Sequence, residues 1–127
     1  MDISAIDKEN AENAAVECAT RWLILLDAAN LEASWEEAAQ HLKSSVSKAQ
    51  WTKMLRARSA LGELQSRKII SAEYAEATVP GATGATNGRF VVIHYQSSFE
   101  HKSAALEMIT PMLEEDGCWR VSGYSVR

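Results

Sequence analysis

The stretch that decides the fold lies near the end of the chain and reads Met112-Leu-Glu-Glu-Asp-Gly-Cys-Trp-Arg-Val-Ser-Gly-Tyr124. Asp116-Gly117 suits a two-residue hairpin turn, because glycine tolerates the positive φ that such turns require. Apolar and polar residues alternate on both sides of the turn. With these two turn residues, Leu113 lies opposite Arg120. The stretch predicts a closing β-hairpin, and a helical first half then makes the domain α+β.

Residues before this hairpin divide into a helical half and a strand half. Apolar residues at spacings of three and four predict a first helix over about residues 3–29. Ser34 with Glu37, and Ser47 with Gln50, form two capping boxes that begin a second and a third helix. The third helix is predicted to reach about residue 61. Strands are predicted over residues 67–79, 90–99, 104–114 and 118–126, with a long turn from residue 80 to 88.

These elements predict three helices packed on one face of a curved four-stranded antiparallel meander, a cystatin-like roll. The whole chain, 1–127, forms one α+β domain, with helices in about 3–62 and the sheet in about 66–127. A bulge or an unpaired edge is expected at Pro111, which has no amide hydrogen to donate. In the hairpin, the core face is predicted to collect Leu106, Met108, Met112, Trp119 and Val121. The opposite face is predicted to carry Glu107, Ile109, Leu113, Arg120 and Tyr124.

Composition excludes several classes of protein. The chain has 127 residues, of which 46% are hydrophobic, which suits one core. No run approaches the length of a transmembrane helix, so we expect no membrane partner. The first residues show neither a basic segment nor an apolar one typical of a signal peptide. Two interpretations stay open: a cytoplasmic protein, or an exported protein whose leader has been removed.

Charge is distributed unevenly beneath a net value of −4. Residues 1–42 sum to −7, whereas residues 43–68 sum to +6. Nucleic-acid binding normally needs a more basic domain with interleaved aromatic residues, so we expect no nucleic-acid partner. The basic segment is instead predicted to face the acidic first helix.

Several short pieces of the chain, taken together in their order and spacing, resemble a bacterial family known as "domain of unknown function" number 4019. These pieces are Ala19-Thr-Arg-Trp-Leu23, Ser34-Trp35, Gln50-Trp51, Arg58-Ser-Ala-Leu-Gly62, Pro80-Gly81, Phe90-Val-Val-Ile93 and Asp116-Gly-Cys-Trp-Arg-Val-Ser-Gly-Tyr124. The resemblance implies a small α+β fold of cystatin-like or nuclear-transport-factor-like type. It also implies that relatives are often exported, and it brings no catalytic residues. Compared with the family, we expect no leader in this chain and a longer loop after Gly81.

Cysteine and histidine residues are too scattered to predict a metal site, and we expect no cofactor. Cys18 and Cys118 form no CxxC motif and are interpreted as buried free thiols, although a disulfide in an oxidising compartment stays open. The glycine-rich turn lacks the lysine and the following helix of a phosphate-binding loop. His94 and Asp27 are the candidates for a general base. His94 qualifies only if its strand face is covered by the helices.

Four tryptophans suggest a further hypothesis. Three of them, Trp22, Trp35 and Trp119, form together with Tyr95 the candidate lining of a cavity for a small apolar ligand or a peptide. The face with Ile109, Leu113, Arg120 and Tyr124 is predicted to form a homodimer interface, since large apolar patches usually mean association. The favoured hypothesis is therefore a non-enzymatic binding or interaction domain. A small pocket enzyme, isomerase-like or hydrolase-like, and a structural adaptor with a solid core are the alternatives.

Overall fold

The computed structural model describes residues 5–78 and 87–127 and consists of a helical half followed by a sheet. Most of the long turn predicted from Pro80 lies outside the described residues. The elements, in chain order, are α1 Ala5–Asp27, α2 Leu31–Glu36, α3 Gln40–Ser45, α4 Lys48–Ser59, β1 Leu64–Thr78, β2 Asn87–Phe99, β3 Lys102–Leu113 and β4 Trp119–Val126. The predicted α+β class, with helices preceding strands, is confirmed.

The four strands form an antiparallel meander in the order β1-β2-β3-β4. Helix α1 packs against all four strands and covers one face of the sheet, which we call the inner face. On β2, Val91 and Ile93 are fully buried against the helices, and Tyr95 and Phe99 lie beside them. The alternation of side chains along β2 thus places all four residues on the inner face.

The predicted second helix is two short helices. Asn30 caps α2, because its side-chain oxygen accepts from the amide of Ala33 at 3.2 Å. The helix therefore begins three residues earlier than the proposed Ser34 cap, and that capping box is wrong. Ser34 lies inside α2, fully buried, and its hydroxyl donates to the carbonyl of Leu31 at 2.8 Å. Glu37 ends the helix.

The capping box at the start of α4 is confirmed in both directions. The Ser47 hydroxyl accepts from the amide of Gln50 at 3.1 Å, and the Gln50 side chain accepts from the amide of Ser47 at 2.8 Å. The helix ends at Ser59, and Gly62 follows with φ +83. In this left-handed conformation the chain turns into β1, as expected for glycine after a helix.

Gly62 provides a test of this connection. A Cβ atom at this position would lie 2.7 Å from the Cβ of Glu100 in addition to the unfavourable φ. We expect Gly62→Ala to lower the free energy of unfolding by about 2–4 kcal/mol. Gly117→Ala is the matched control, since Gly117 has φ +85 but nothing within 4 Å of the added Cβ. The control is expected to cost about 1–2 kcal/mol, and equal losses in urea denaturation would contradict the proposed clash.

The closing hairpin has a different turn from the predicted one. Glu114 donates its amide to the carbonyl of Cys118 at 2.9 Å, so Glu115, Asp116 and Gly117 form a three-residue loop. Gly117 occupies the left-handed third position that such loops require. As a result Leu113 lies opposite Trp119 rather than Arg120. The register shifts between Thr110 and Pro111, which confirms the bulge predicted at the proline.

The predicted assignment of the hairpin faces is wrong for most residues, although Val121 and Trp119 lie on the core side as predicted. Glu107, Ile109 and Tyr124 share a face as predicted, but it is the inner face, where Ile109 is 0% exposed. Leu106 and Met108 lie on the outer face instead. Residues Ile109, Leu113 and Tyr124 therefore do not form an open sheet surface. Arg120 lies opposite Met112, where it binds Glu114 and Asp116 rather than Glu107.

Candidate functional site

The most unusual feature of the inner face is a cluster of charged side chains within the apolar core. Asp27 comes from the end of α1, Arg58 from α4, Arg67 from β1 and Glu107 from β3. Two guanidinium groups face two carboxylates, so the cluster is balanced in charge. We call these four residues the charge cluster.

Arg58 is the centre of this cluster and is largely buried. Its Nη2 atom donates to Asp27 at 2.8 Å, and its Nε atom donates to the Tyr124 hydroxyl at 2.8 Å. Its guanidinium carbon also lies 5.2 Å from the centre of the Phe99 ring. Arg58 lies in the last turn of α4, which begins at the Ser47 capping box. The position of α4 therefore determines where the guanidinium lies in the core.

Glu107 accepts hydrogen bonds from four side chains. Arg67 Nε donates to its Oε1 at 2.8 Å, and Ser97 donates to the same oxygen at 2.5 Å. Its Oε2 accepts from the Tyr124 hydroxyl and, at 3.5 Å, from Arg58. A carboxylate that is 0% exposed can stay ionised only with such compensation.

The pKa values of the cluster follow from these contacts. Burial alone would raise the pKa of Glu107, but hydrogen bonds from Arg67, Ser97 and Tyr124 bring that pKa below its ordinary value. Asp27 shows the same balance, with burial opposed by Arg67 and Arg58, and its pKa is also lowered. Burial raises the pKa of the Tyr124 hydroxyl, and the adjacent Glu107 adds to the effect. At neutral pH the cluster is therefore two ion pairs joined by a neutral tyrosine.

Neither candidate general base is placed for proton transfer. Asp27 accepts from Arg58 and from Arg67 at 2.8–3.1 Å, and its lowered pKa makes it a weak base. His94 lies on the outer face, half-buried, with its Nδ1 3.3 Å from the Ser71 hydroxyl. The condition set for His94, coverage by the helices, is not met.

The four candidate ligand-lining residues are parts of the core or its margin. Trp22 is 3% exposed, and its indole nitrogen donates to the carbonyl of Ser34 at 2.9 Å. Tyr95 is also buried, and its hydroxyl has no hydrogen-bond partner among the described residues. Trp35 and Trp119 are half-buried and pack against the core. None of the four lines the groove described next.

A groove of about 440 Å³ opens between α4 and the end of β4. Its walls come from α4, the segment after it, the start of β3 and the end of β4: Met54, Ala57, Arg58, Leu61, Lys102, Tyr124, Ser125, Val126 and Arg127. Arg58 and Tyr124 belong both to this wall and to the buried polar contacts of Glu107. The charge cluster therefore borders the groove through Arg58 and through the Tyr124 hydroxyl that Arg58 contacts.

Sequence reasoning identified only part of this site. Pairing of the basic segment with α1 is confirmed for Arg58 and Arg67, which both bind Asp27. Glu107 and Arg120 were predicted to share a sheet face, but Glu107 forms its ion pairs with Arg67 and Arg58. The groove itself was missed. The signal that could have indicated it is the helical spacing of four lining residues on one side of the chain around α4: Met54, Ala57, Arg58 and Leu61.

The remaining features considered from the sequence are the two cysteines, a metal site and a membrane span. Cys18 and Cys118 are free; Cys18 is buried, whereas Cys118 is exposed, contrary to prediction. Burial raises the pKa of the Cys18 thiol to about 11. Within residues 5–78 and 87–127, no three metal-ligating side chains come together. Over the same residues, no helix combines the length and the apolar character needed to cross a membrane.

Comparison with known proteins bears on identity more than on chemistry. No curated protein and no solved structure matches the chain. The cystatin-like or nuclear-transport-factor-like comparison therefore stays a prediction. A family model described as "Protein of unknown function (DUF4019)" matches residues 18–124, a span that contains α2 to α4, β1 to β3, most of β4 and the whole charge cluster. The chain belongs to the DUF4019 family.

Proposed function

We propose that this protein is a non-enzymatic binding domain and that its ligand site is the groove between α4 and β4. The observation that carries the proposal is the volume of about 440 Å³ beside the fixed Arg58 and Tyr124 side chains. This volume lies within the range of sites for small molecules. The proposal replaces the tryptophan-lined cavity with a groove formed by Met54, Leu61 and Val126.

The character of the groove supports binding rather than catalysis. Its wall is mostly apolar, with Met54, Ala57, Leu61 and Val126 contributing hydrocarbon surface. Its buried polar neighbours are already engaged with one another, since Arg58 binds Asp27 and Tyr124 binds Glu107. A group with a lowered pKa and several donors is a poor proton acceptor. The ligand is thus held by shape and apolar contact.

Titration with the neutral probe N-phenyl-1-naphthylamine tests the proposal. The probe is expected to gain fluorescence on binding to the wild-type protein. Ala57→Trp fills the groove and is expected to reduce this binding at least about tenfold, a loss of about 1.4 kcal/mol. Ala49→Trp is the matched control, since Ala49 is exposed on α4 outside the groove wall. Absence of probe binding, or equal binding by the two variants, would refute the groove.

We also propose that the protein associates with a second copy through the outer face of the sheet. Met108, 37% exposed, lies at the centre of that face beside Leu106 and opposite His94. On β1, Lys68 and Glu73 lie on the same face, on either side of Ser71. A two-fold axis across the strands at this point places Lys68 of one copy against Glu73 of the other. The face is thus self-complementary in charge around an apolar centre.

Light scattering coupled to size-exclusion chromatography tests this association. The wild-type protein is expected at twice the 14.0 kDa mass of one chain at high concentration. Met108→Lys is expected to give the single-chain mass. Ile24→Lys is the control, since Ile24 is 62% exposed on α1, away from the sheet face. A wild-type protein that stays monomeric, or an Ile24 variant that dissociates as the Met108 variant does, would contradict the interface.

A further inference from the structure

We propose that the ligand of the groove is an alkyl carboxylate, with its chain against the apolar wall and its carboxylate at Lys102. This inference rests on the binding site proposed above. It concerns the chemical class of the ligand, which neither the family match nor the volume of the groove specifies.

The charge of the groove wall is the first argument. The wall contains three cations, Arg58, Lys102 and Arg127, and no acidic residue. This is unusual for a chain whose net charge is −4. A positive potential within a largely apolar concavity favours an anion with an apolar body, and it disfavours a cation of the same shape.

The second argument is which of these cations is available. Arg58 is already compensated by Asp27 and Glu107 and by the Tyr124 hydroxyl. Lys102 is half-buried at the start of β3, and within the described part of the chain it has no ion-pair partner. Its ammonium is therefore the cation with which a ligand carboxylate would form an ion pair. Arg127 is also part of the groove wall but is exposed.

The third argument concerns where the chain of the ligand would lie. Leu61 and Val126 share the groove wall with Lys102, and Met54 and Ala57 continue the apolar surface along α4. Methionine is flexible and adapts to ligands of different length. A wall that combines one available cation, Lys102, with a continuous apolar surface matches a molecule with one anionic end and a linear hydrocarbon body.

Competition with the bound naphthylamine probe tests the proposal, with three ligands of equal chain length: decanoate, 1-decanol and decyltrimethylammonium. Decanoate is expected to displace the probe at about tenfold lower concentration than decanol, because a partly desolvated ion pair with Lys102 is worth at least the corresponding free energy. Decyltrimethylammonium is expected to be the weakest. Lys102→Gln should bring decanoate close to decanol, whereas Lys8→Gln, at an exposed position of α1 outside the groove wall, should leave the preference unchanged.

The outcomes separate this inference from the binding site on which it rests. If the probe binds in the groove but decanoate and decanol displace it equally, the carboxylate assignment is wrong and the groove stands. If Lys8→Gln reduces the preference as much as Lys102→Gln, the effect is a general one of net charge and Lys102 is not the carboxylate site. If the probe does not bind at all, the groove proposal fails first.

Discussion

Replacing Glu107 with leucine is expected to lower the free energy of unfolding by about 3–5 kcal/mol, because it removes the carboxylate shared by two buried cations. Arg58 and Arg67 would then depend on Asp27 alone. The hydroxyls of Ser97 and Tyr124 would lose their acceptor, and that of Ser97 lies in a fully buried contact. Urea denaturation of the variant at pH 7 measures the loss.

A double variant distinguishes lost charge compensation from lost packing. Arg67→Met combined with Glu107→Leu removes one cation together with one anion and leaves the Arg58–Asp27 pair intact. We expect it to be more stable than Glu107→Leu alone, since replacing both partners of a buried pair is often close to neutral. A double variant less stable than the single one would show that the leucine, rather than the unpaired cations, causes the loss.

Acid sensitivity gives an independent measurement on the same cluster. The folded pKa values of Asp27 and Glu107 lie below their ordinary values, so their stabilisation is fully present above about pH 4.5. It is lost as the pH falls below about 4 and through the folded pKa values. Glu107→Gln should therefore lose less stability than the wild-type protein between pH 5 and pH 3, on the order of 1 kcal/mol less. Parallel pH profiles would contradict the lowered pKa of Glu107.

Trp22→Ala is the second substitution with a large expected effect, a loss of about 3–5 kcal/mol in unfolding free energy. The indole is almost fully buried, and its ring centre lies 5.5 Å from that of Trp51 and 5.7 Å from that of Tyr124. The substitution leaves a cavity between α1, α4 and β4. It also leaves the Ser34 carbonyl without its donor, which adds to the cost.

Trp22→Phe is the matched control for this prediction. Phenylalanine keeps an aromatic ring between Trp51 and Tyr124 but cannot donate to Ser34. We expect a loss of about 1–2 kcal/mol, most of it from the unpaired carbonyl. Thermal unfolding followed by circular dichroism compares the two variants. A loss below about 1 kcal/mol for Trp22→Ala would mean that the indole is not a core residue.

Local signals in the chain predicted most elements because their causes are local. Ser47 and Gln50 cap α4 as expected, since both groups of a capping box lie within four residues. Pro111 disrupts the register of its strand, because proline has no amide hydrogen in any context. The prediction at Ser34 is wrong for a related reason: Asn30 is an equally good cap four residues earlier, and the chain used it.

The hairpin shows where local reasoning stops. Asp116-Gly117 fits a two-residue turn and also the last two positions of a three-residue turn, because both require a positive φ at the glycine. Strand β3 has apolar residues on both faces, with Ile109 on one and Met108 on the other. Apolar content alone therefore predicts that the face without Glu107 is buried. The helices cover the other face. There Arg58 of α4 and Arg67 of β1 both bind Glu107.

By itself, the order of residues determined the α+β class, the meander and the positions of most helix and strand ends, because periodicity, caps and proline act over a few residues. Only the tertiary structure decided which face of β3 is buried, that Asp27 and Glu107 are held by arginines, and that a groove exists beside α4. These properties depend on side chains 31 to 49 residues apart in the chain meeting in space. No local pattern encodes such a meeting, since the free energy of a buried carboxylate is set by whichever cations the packed helices bring to it.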